Sequence, residues 1–434
     1  MKLTRKTAVG LTLFGAVASA YGSGFGLYQP SATSHAMGGA LVGKAMDASA
    51  NFNNPATLSD LTNIQFTVGF VTEHPRGRVD VGPAGLPGRR YSMDPGMFVL
   101  PHFQLAVPLP AGFTFGFGME PDYGLGTAYD DMWPMNFTCT ETTIQSLMLN
   151  PNLAYKITDD WSVGAGARLL YFEFEQYSRP VVPGSGALSG FELGRFGNRL
   201  RGDNGMKDLG WQIGTKYNIT ETFSVGAVYK SWIETHVDGK TSTDFLTTAP
   251  NLPVPASAVK PAMVAAARNR NGPASAEINM PQSVAVGCNW DVLPTWHLGS
   301  MVSWTQWSDF DNLHFDLAGG NKDTRLDWRD TWRGSLASCW EFVEDWKWMV
   351  SYTYDMDSTT WTQQSAMLPP ADRHILGTGL SWNCWGGLEL TLSYACIFMD
   401  GGDMDVYDAT GDRWHFETCW GFCHAAGFSV TYRF

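Results

Sequence analysis

The residues best suited to chemistry in this sequence are arginines that interrupt apolar segments. Arg168 lies in the segment WSVGAGARLLYF, and Arg333 lies in WRDTWRGSLASCW. A guanidinium group in a partly dry cavity can hold a carboxylate through two parallel hydrogen bonds. These two residues therefore predict a binding site for an anionic group, and the neighbouring Leu170 and Phe172 are placed to hold an apolar tail.

Other kinds of chemistry lack the residue patterns that they require. The seven cysteines show no metal-ligand spacing, and an odd number of them cannot all pair with one another. The histidines are scattered, and no G-x-S-x-G motif or pair of catalytic carboxylates is present. We therefore expect no catalytic residue, no metal and no cofactor, with a hydrolase as the enzymatic alternative.

The N-terminal segment MKLTRKTAVGLTLFGAVASA is typical of a secretory signal peptide, with a basic start, a short apolar stretch and a small-residue end. We expect cleavage after Ala20, so that residues 1–20 are absent from the mature protein. Removing the three positive charges of this segment changes the formal net charge from −13 to −16. An acidic exported chain argues against nucleic acid as a partner.

Alternation of apolar and polar residues predicts the elements that position the arginines. In NIQFTVGFVT, for example, Ile64, Phe66, Val68 and Phe70 share one face. Fourteen segments of this kind are predicted as strands. They lie near 63–72, 96–107, 112–120, 142–157, 161–172, 209–217, 222–230, 278–290, 295–304, 328–340, 346–355, 371–384, 387–398 and 420–434.

The connections between these strands alternate in length. Short turns lie at 108–112, 158–160, 218–221, 291–294, 343–345 and 383–387, whereas the intervening connections are long. An even strand number with short turns at one end and long loops at the other is typical of bacterial outer-membrane β-barrels. We therefore predict an all-β, transmembrane antiparallel barrel over residues 63–434, and a secreted soluble β-sandwich or solenoid is the alternative.

A barrel in lipid turns its apolar face outward, so the other face of each strand lines the lumen. This parity points a set of basic residues inward: Arg168, Lys216, Lys230, Arg329, Arg333, Lys347 and Arg373. Arg168 and Arg333 are nearest mid-depth. The alternative is that these basic residues anchor the hatch, the segment before the first strand, for instance through Asp47 or Asp60. We expect a structural role for Lys216 and Lys347.

The segment between the signal peptide and the first strand, residues 21–62, is rich in small residues and has little strand pattern. Fourteen strands leave a wide lumen. We therefore predict that this segment is a hatch domain that fills the barrel. At the other end of the chain, Phe434 continues the apolar series of the last strand, and a terminal Phe resembles the signal that the outer-membrane assembly machinery reads.

The hatch segment resembles the FadL-type outer-membrane transporters of long-chain fatty acids and aromatic hydrocarbons. The matching stretches are GFGLYQPSATSHAMGGA and DASANFNNPATL, in which Asn54, Pro55 and Ala56 match the NPA motif of the family. Later matches include LNPNLAYKITDDWSVGAGARLLY and LPPADRHILGTGLSW. The resemblance implies a fourteen-stranded barrel with an N-terminal hatch, located in the outer membrane, that takes up hydrophobic molecules passively among outer-membrane lipids.

The resemblance also implies a route. The substrate would land in a groove between outer loops, move to a pocket in the lumen, and leave sideways at a break in the third strand when the hatch N-terminus, near Phe25, rearranges. Two outer loops are predicted to form the groove. Their apolar residues are Phe191, Leu193, Phe196, Met263 and Val264. The alternative is that these loops only pack on each other.

The sideways exit is predicted in the segment GFGMEPDYGLG, by Gly118, Pro121 and Gly124, because proline lacks a hydrogen-bond donor and glycine weakens a strand. An ordinary strand end is the alternative. The fifth strand departs from the family, because Glu173 and Glu175 stand where a fatty-acid carrier has basic residues. This departure weakens the transfer of the family's carboxylate partner to this chain and leaves a neutral hydrocarbon as an alternative. From the resemblance, long-chain fatty acids are the main substrate prediction, an aromatic hydrocarbon channel is the second, and a non-selective porin is the third.

Overall fold

A computed structural model of the chain describes residues 24–360, 366–408 and 411–434, so the predicted signal peptide lies outside the described residues. Fourteen antiparallel strands close into a barrel, which confirms the predicted fold class and strand number. In chain order the barrel strands are β1 Gln65–Pro83, β2 Phe98–Pro108, β3 Phe113–Glu120, β4 Glu141–Lys156, β5 Trp161–Ser178, β6 Asp208–Asn218, β7 Phe223–Lys230, β8 Ser283–Leu293, β9 Trp296–Thr305, β10 Thr331–Val343, β11 Trp346–Asp355, β12 Arg373–Trp385, β13 Leu388–Met399 and β14 Arg413–Arg433.

The first and last barrel strands close the sheet. β1 and β14 pair along the whole of β1, with one register shift after Arg78. Beyond the ladder, the backbone N–H of Phe434 donates to the carbonyl of Ile64 at 2.9 Å. The Phe434 ring lies against Tyr432, with centroids 4.8 Å apart, on the outer surface. Closure pairs the edges that an open sheet would expose to lipid.

Side chains alternate between the two faces of the wall as predicted. On β6 the apolar Leu209, Trp211 and Ile213 are exposed on the outer surface, whereas Gln212 and Lys216 are buried inside. The outward apolar band faces lipid, and the inner face carries the polar groups. None of the helices in the described ranges has the length and hydropathy of a membrane-spanning helix.

The short connections lie at one end of the barrel, the turn end, and the long connections lie at the other, the loop end. The long connections contain much more strand than predicted, because β1, β5 and β14 continue beyond the predicted segments and new hairpins pair with them. Within the described ranges, nine further strands span Arg89–Met93, Gly124–Ala128, Val181–Pro183, Glu192–Asp203, His236–Thr248, Gly272–Glu277, Asn312–Leu317, Lys322–Arg325 and Asp403–Tyr407. Short 3-10 helices span Pro110–Gly112, Gly186–Leu188 and Trp307–Asp309.

The hatch is a compact chain inside the barrel. It contains helix α1, Ala32–Ala36, helix α2, Ala50–Asn53, and a 3-10 helix, Pro55–Asp60. Nearly all of its described residues up to Leu58 are buried. The longest helix of the described residues lies instead at the loop end: α3, Ala256–Asn269, with Pro261 inside it.

Candidate functional site

The hatch is seated by the amide of Asn54, the first residue of the Asn-Pro-Ala motif. Its Nδ2 donates to the carbonyl of Val42 at 2.7 Å and to that of Thr215 on β6 at 3.0 Å. Its Oδ1 accepts the N–H of Ala56 at 3.1 Å, and Pro55 begins the 3-10 helix, where its missing N–H costs nothing. The motif therefore ties two turns of the hatch to the barrel wall.

Glycines in the wall allow the hatch to come this close. A Cβ added at Gly214 would overlap the side-chain oxygen of Asn54, and one at Gly226 would overlap the carbonyl of Val42. A Cβ at Gly164 would lie 2.5 Å from the carbonyl carbon of Pro55. Side chains at these positions would push the hatch away from the wall.

Ion pairs hold the barrel and hatch at the turn end. Lys216 on β6 pairs with Asp60 of the hatch, which agrees with the structural role expected for it. Lys44 of the hatch pairs with Asp291 at 2.6 Å. Lys347 pairs with Glu389 of the wall at 3.2 Å rather than with a described residue of the hatch. In the described part of the chain, the Asp47 carboxylate accepts hydrogen bonds from hatch residues only, including the Ser31 hydroxyl at 2.9 Å.

A cavity lies in the lumen between the hatch and strands β7 to β10. It has about 500 Å³ of empty space, part of which is continuous with solvent. Its walls are mostly apolar, with Val42 and Phe52 from the hatch and Val228 and Met301 from the barrel. Two cations line it, Lys230 and Arg333, and no carboxylate is among the described lining residues. The cavity is suited to an apolar molecule with an anionic group.

Each of the two cations faces an aromatic ring of the hatch. The Lys230 ammonium lies 3.3 Å from the ring centroid of Phe52, and the Arg333 guanidinium lies 4.2 Å from that of Tyr28. Such contacts are worth roughly 0.5–2 kcal/mol. The Nε of Arg333 is buried with no hydrogen-bond partner among the described groups, so part of its donor capacity is unused.

The two predicted arginines have different surroundings. Arg333 stands opposite Asp355 on the neighbouring strand, and the carboxylate of Asp355 is paired with Arg373 one strand further on. Arg168 instead forms a buried ion pair with Asp122 and donates to the carbonyl of Ser231 at 3.2 Å. Leu170 and Phe172, on the same inner face of β5, are fully buried.

The third strand is broken where the sequence places the exit. β3 ends at Glu120, and strand Gly124–Ala128 continues its path beside β4. The pairing of β3 with β2 ends with Phe103 opposite Met119. Two more residues in this register would set Pro101 opposite Pro121, and neither proline has an N–H to donate. The missing donors disfavour a longer ladder, and among the described pairings residues 121–123 do not pair with β2; we call this unpaired stretch of the wall the gap.

The predicted gate residues lie along this break. An added Cβ at Gly118 would lie 2.7 Å from both the Gln104 and the Glu120 side-chain oxygens, so glycine makes room for that hydrogen-bonded pair. Gly124 donates its N–H to the carbonyl of Phe25 at 2.8 Å. The hatch N-terminus thus lies directly behind the gap.

Phe25 is enclosed by aromatic side chains. Its ring centroid lies 4.8 Å from that of Trp307 and 5.3 Å from that of Phe310. Tyr123 and Phe172 lie at 5.9 and 6.4 Å. This cluster fills the lumen between the gap and the loop end with apolar rings.

The residues predicted for the outer groove do not form one open surface. Phe196 and Met263 are buried against each other in a small core between α3 and strands Glu192–Asp203 and His236–Thr248. Leu193 packs at its margin, Val264 is half-buried, and Phe191 is exposed. This packing corresponds to the alternative in which the two loops cover each other, and a role of the five residues in binding stays a prediction.

Sequence reasoning did not single out Lys230, Tyr28 or Pro101. The inward parity of Lys230 was a usable signal, but nothing local separated it from the other inward cations. Pro101 becomes informative only with the register of β2 against β3.

The described residues include no cluster of His, Cys, Asp and Glu that could hold a metal ion. All seven cysteines are unbridged.

Comparison with known proteins shows what this architecture is similar to. Residues 14–434 match the family model described as outer membrane protein transport protein (OMPP1/FadL/TodX). The chain is 24% identical over 449 residues to a long-chain fatty acid transport protein of Escherichia coli O6:H1, covering 96% of this chain and 98% of that protein.

Solved structures share the fold. The crystal structure of a Pseudomonas aeruginosa FadL homologue matches with a TM-score of 0.79 at 19% identity, over 94% of this chain and 99% of that one. The toluene transporter TodX of P. putida matches with a TM-score of 0.69 at 17% identity, over 95% of this chain and 99% of that one.

Proposed function

Because the chain belongs to the outer membrane protein transport family (OMPP1/FadL/TodX), we propose that it takes up amphiphiles with a long apolar chain and an anionic headgroup, of which long-chain fatty acids are the type. The observation that carries this proposal is the lumen cavity. Its apolar wall is interrupted by two cations, Lys230 and Arg333, and by no carboxylate of the described residues.

The hatch aromatics suggest how binding and hatch movement are linked. A carboxylate that approaches Lys230 or Arg333 forms a hydrogen bond between opposite charges. This bond is stronger than the contacts that the hatch provides, which are the ring of Phe52 at Lys230 and the ring of Tyr28 and the neutral carbonyl of Gly38 at Arg333. The bound headgroup therefore competes with the hatch for the two cations. Release of the hatch N-terminus would then uncover the gap at Pro121, through which we propose that the substrate leaves sideways.

The test separates the headgroup from the chain. We expect Lys230→Met and Arg333→Met each to weaken binding of a long-chain carboxylate by roughly tenfold to over a hundredfold, the value of one charge-assisted bond. Binding of the alcohol of the same chain length should be unchanged. Lys347→Met is the matched control, because Lys347 also points inward but pairs with Glu389 near the turn end.

Two results would contradict this assignment. An equal loss for the carboxylate and the alcohol would show that the cations support the hatch. No loss for either compound, in variants that fold, would favour a neutral substrate.

The aromatic cluster around Phe25 favours aromatic hydrocarbons as the second candidate. Trp307 and Phe310 surround a benzene-sized side chain at centroid distances of 4.8 and 5.3 Å. A hydrocarbon that displaces Phe25 would meet the same rings. Saturable uptake of toluene but not of a long-chain carboxylate would select this candidate.

We propose neither a catalytic activity nor a porin function. The hatch occupies the lumen, so free passage of ions is not expected from the closed barrel.

For the remaining partners, we infer that the outward band contacts outer-membrane lipids and that Phe434 is read by the assembly machinery. The exposed Phe434 ring at the end of a lipid-facing strand supports the latter, and its deletion should lower the amount of inserted protein.

A further inference from the structure

The break in the third strand is held by a buried ion pair. Asp122 lies in the break, and its carboxylate pairs with Arg168 on β5, with side-chain exposures of only 7% and 2%. The other arm of the guanidinium donates to the carbonyl of Ser231, just beyond β7, at 3.2 Å. Both arms of the Arg168 fork are therefore engaged within the barrel wall, and no pair of free donors is left for a substrate carboxylate.

Two other parts of the molecule also hold the break. Ser146 on β4 accepts the N–H groups of Asp122 and Tyr123 at 3.2 and 2.8 Å and donates to the carbonyl of Tyr123 at 2.7 Å. The hatch contributes the N–H of Leu27, which donates to the carbonyl of Asp122 at 2.9 Å, and the carbonyl of Phe25. The hatch bonds are lost when its N-terminus moves, whereas the bonds from Ser146 and Arg168 belong to the wall.

We propose that Arg168 is a positioning residue that keeps the broken strand drawn into the lumen, so that the gap beside β2 persists after the hatch has moved. This inference rests on the sideways exit proposed above. A buried carboxylate without its partner is strongly unfavourable, so Asp122 moves toward solvent when Arg168 is removed. The backbone of residues 121–123 is then no longer held on the lumen side and moves toward β2. The exit becomes narrower for every substrate.

The experiment compares variants of both partners in the full-length protein. Arg168→Met and Asp122→Asn are measured for uptake of a long-chain carboxylate and of the alcohol of the same length, in cells without another carrier for either compound. Hydrogen–deuterium exchange of residues 122–128 reports on the break without transport. Arg373→Met is the matched control for exchange, since Arg373 and Asp355 form an equally buried pair on the other side of the barrel.

We expect both compounds to enter about tenfold more slowly in both variants, with faster exchange confined to the break. Arg168→Lys, which keeps the charge, should recover part of the uptake and of the protection. Slower uptake of the carboxylate alone in Arg168→Met, with Asp122→Asn unaffected, would overturn the proposal and make Arg168 a headgroup ligand. Unchanged exchange at 122–128, or the same change in Arg373→Met, would also overturn it. If the unaltered protein takes up neither compound, the transport proposal fails, and the exchange data still decide whether Arg168 holds the break.

Discussion

Replacing Asn54 by alanine should unseat the hatch. The change removes two donated hydrogen bonds, to Val42 and Thr215, and one accepted from Ala56. Buried polar groups that lose their partners cost about 1–3 kcal/mol each. Because some of these groups find other partners, we take about 3 kcal/mol for the whole change. At about 1.4 kcal/mol per tenfold, the population of barrels with a displaced hatch should rise roughly a hundredfold.

Ion conductance in planar bilayers measures this population, because only a barrel with a displaced hatch passes ions freely. Asn53→Ala is the matched control. The Asn53 side chain bonds only within the hatch in the described contacts, accepting from Ser34 at 3.1 Å and donating to Ser49 at 3.3 Å. The reasoning is refuted if Asn54→Ala conducts no more often than Asn53→Ala, or if the unaltered protein already conducts as a porin does.

Three further predictions concern the plug, the gap and the outer loops. Deleting residues 21–60 should convert a silent barrel into a steadily conducting one; a deletion barrel that inserts but stays silent would show that other segments close the lumen. The double change Pro101→Val and Pro121→Val restores two backbone N–H donors and should extend the β2–β3 ladder. Uptake should fall at least about tenfold, while binding of the carboxylate in the lumen persists. Normal uptake would place the exit elsewhere. In the loop after β11, burial raises the pKa of Asp357 to about 6, above its value in the unfolded chain. The stability of the protein should therefore fall as pH rises from about 4 to about 6. Asp357→Asn should remove this part of the pH dependence of the melting temperature.

The barrel itself was predictable because its signal is local and repeated. Alternation with a period of two marks each strand and also which side chains face lipid, as Trp211 and Gln212 on β6 illustrate. The sorted connection lengths then leave few arrangements other than a closed barrel. The ends of the strands were less predictable, since the polar hairpins above the membrane lack the apolar face that marks a lipid-facing strand.

The sequence by itself determined that Arg168 and Arg333 face the lumen, because inward parity is a property of one strand. Only the tertiary structure decided that their partners differ, with Asp122 beside Arg168 and an aromatic ring of the hatch beside Arg333. The same holds for the gap, where Pro101 and Pro121 meet only through the register of two strands. The residue pattern of one strand shows which side chains face the lumen, but not which side chains a separate segment places beside them. The electrostatic surroundings of a buried charge depend on those neighbours, and only the tertiary structure gives them.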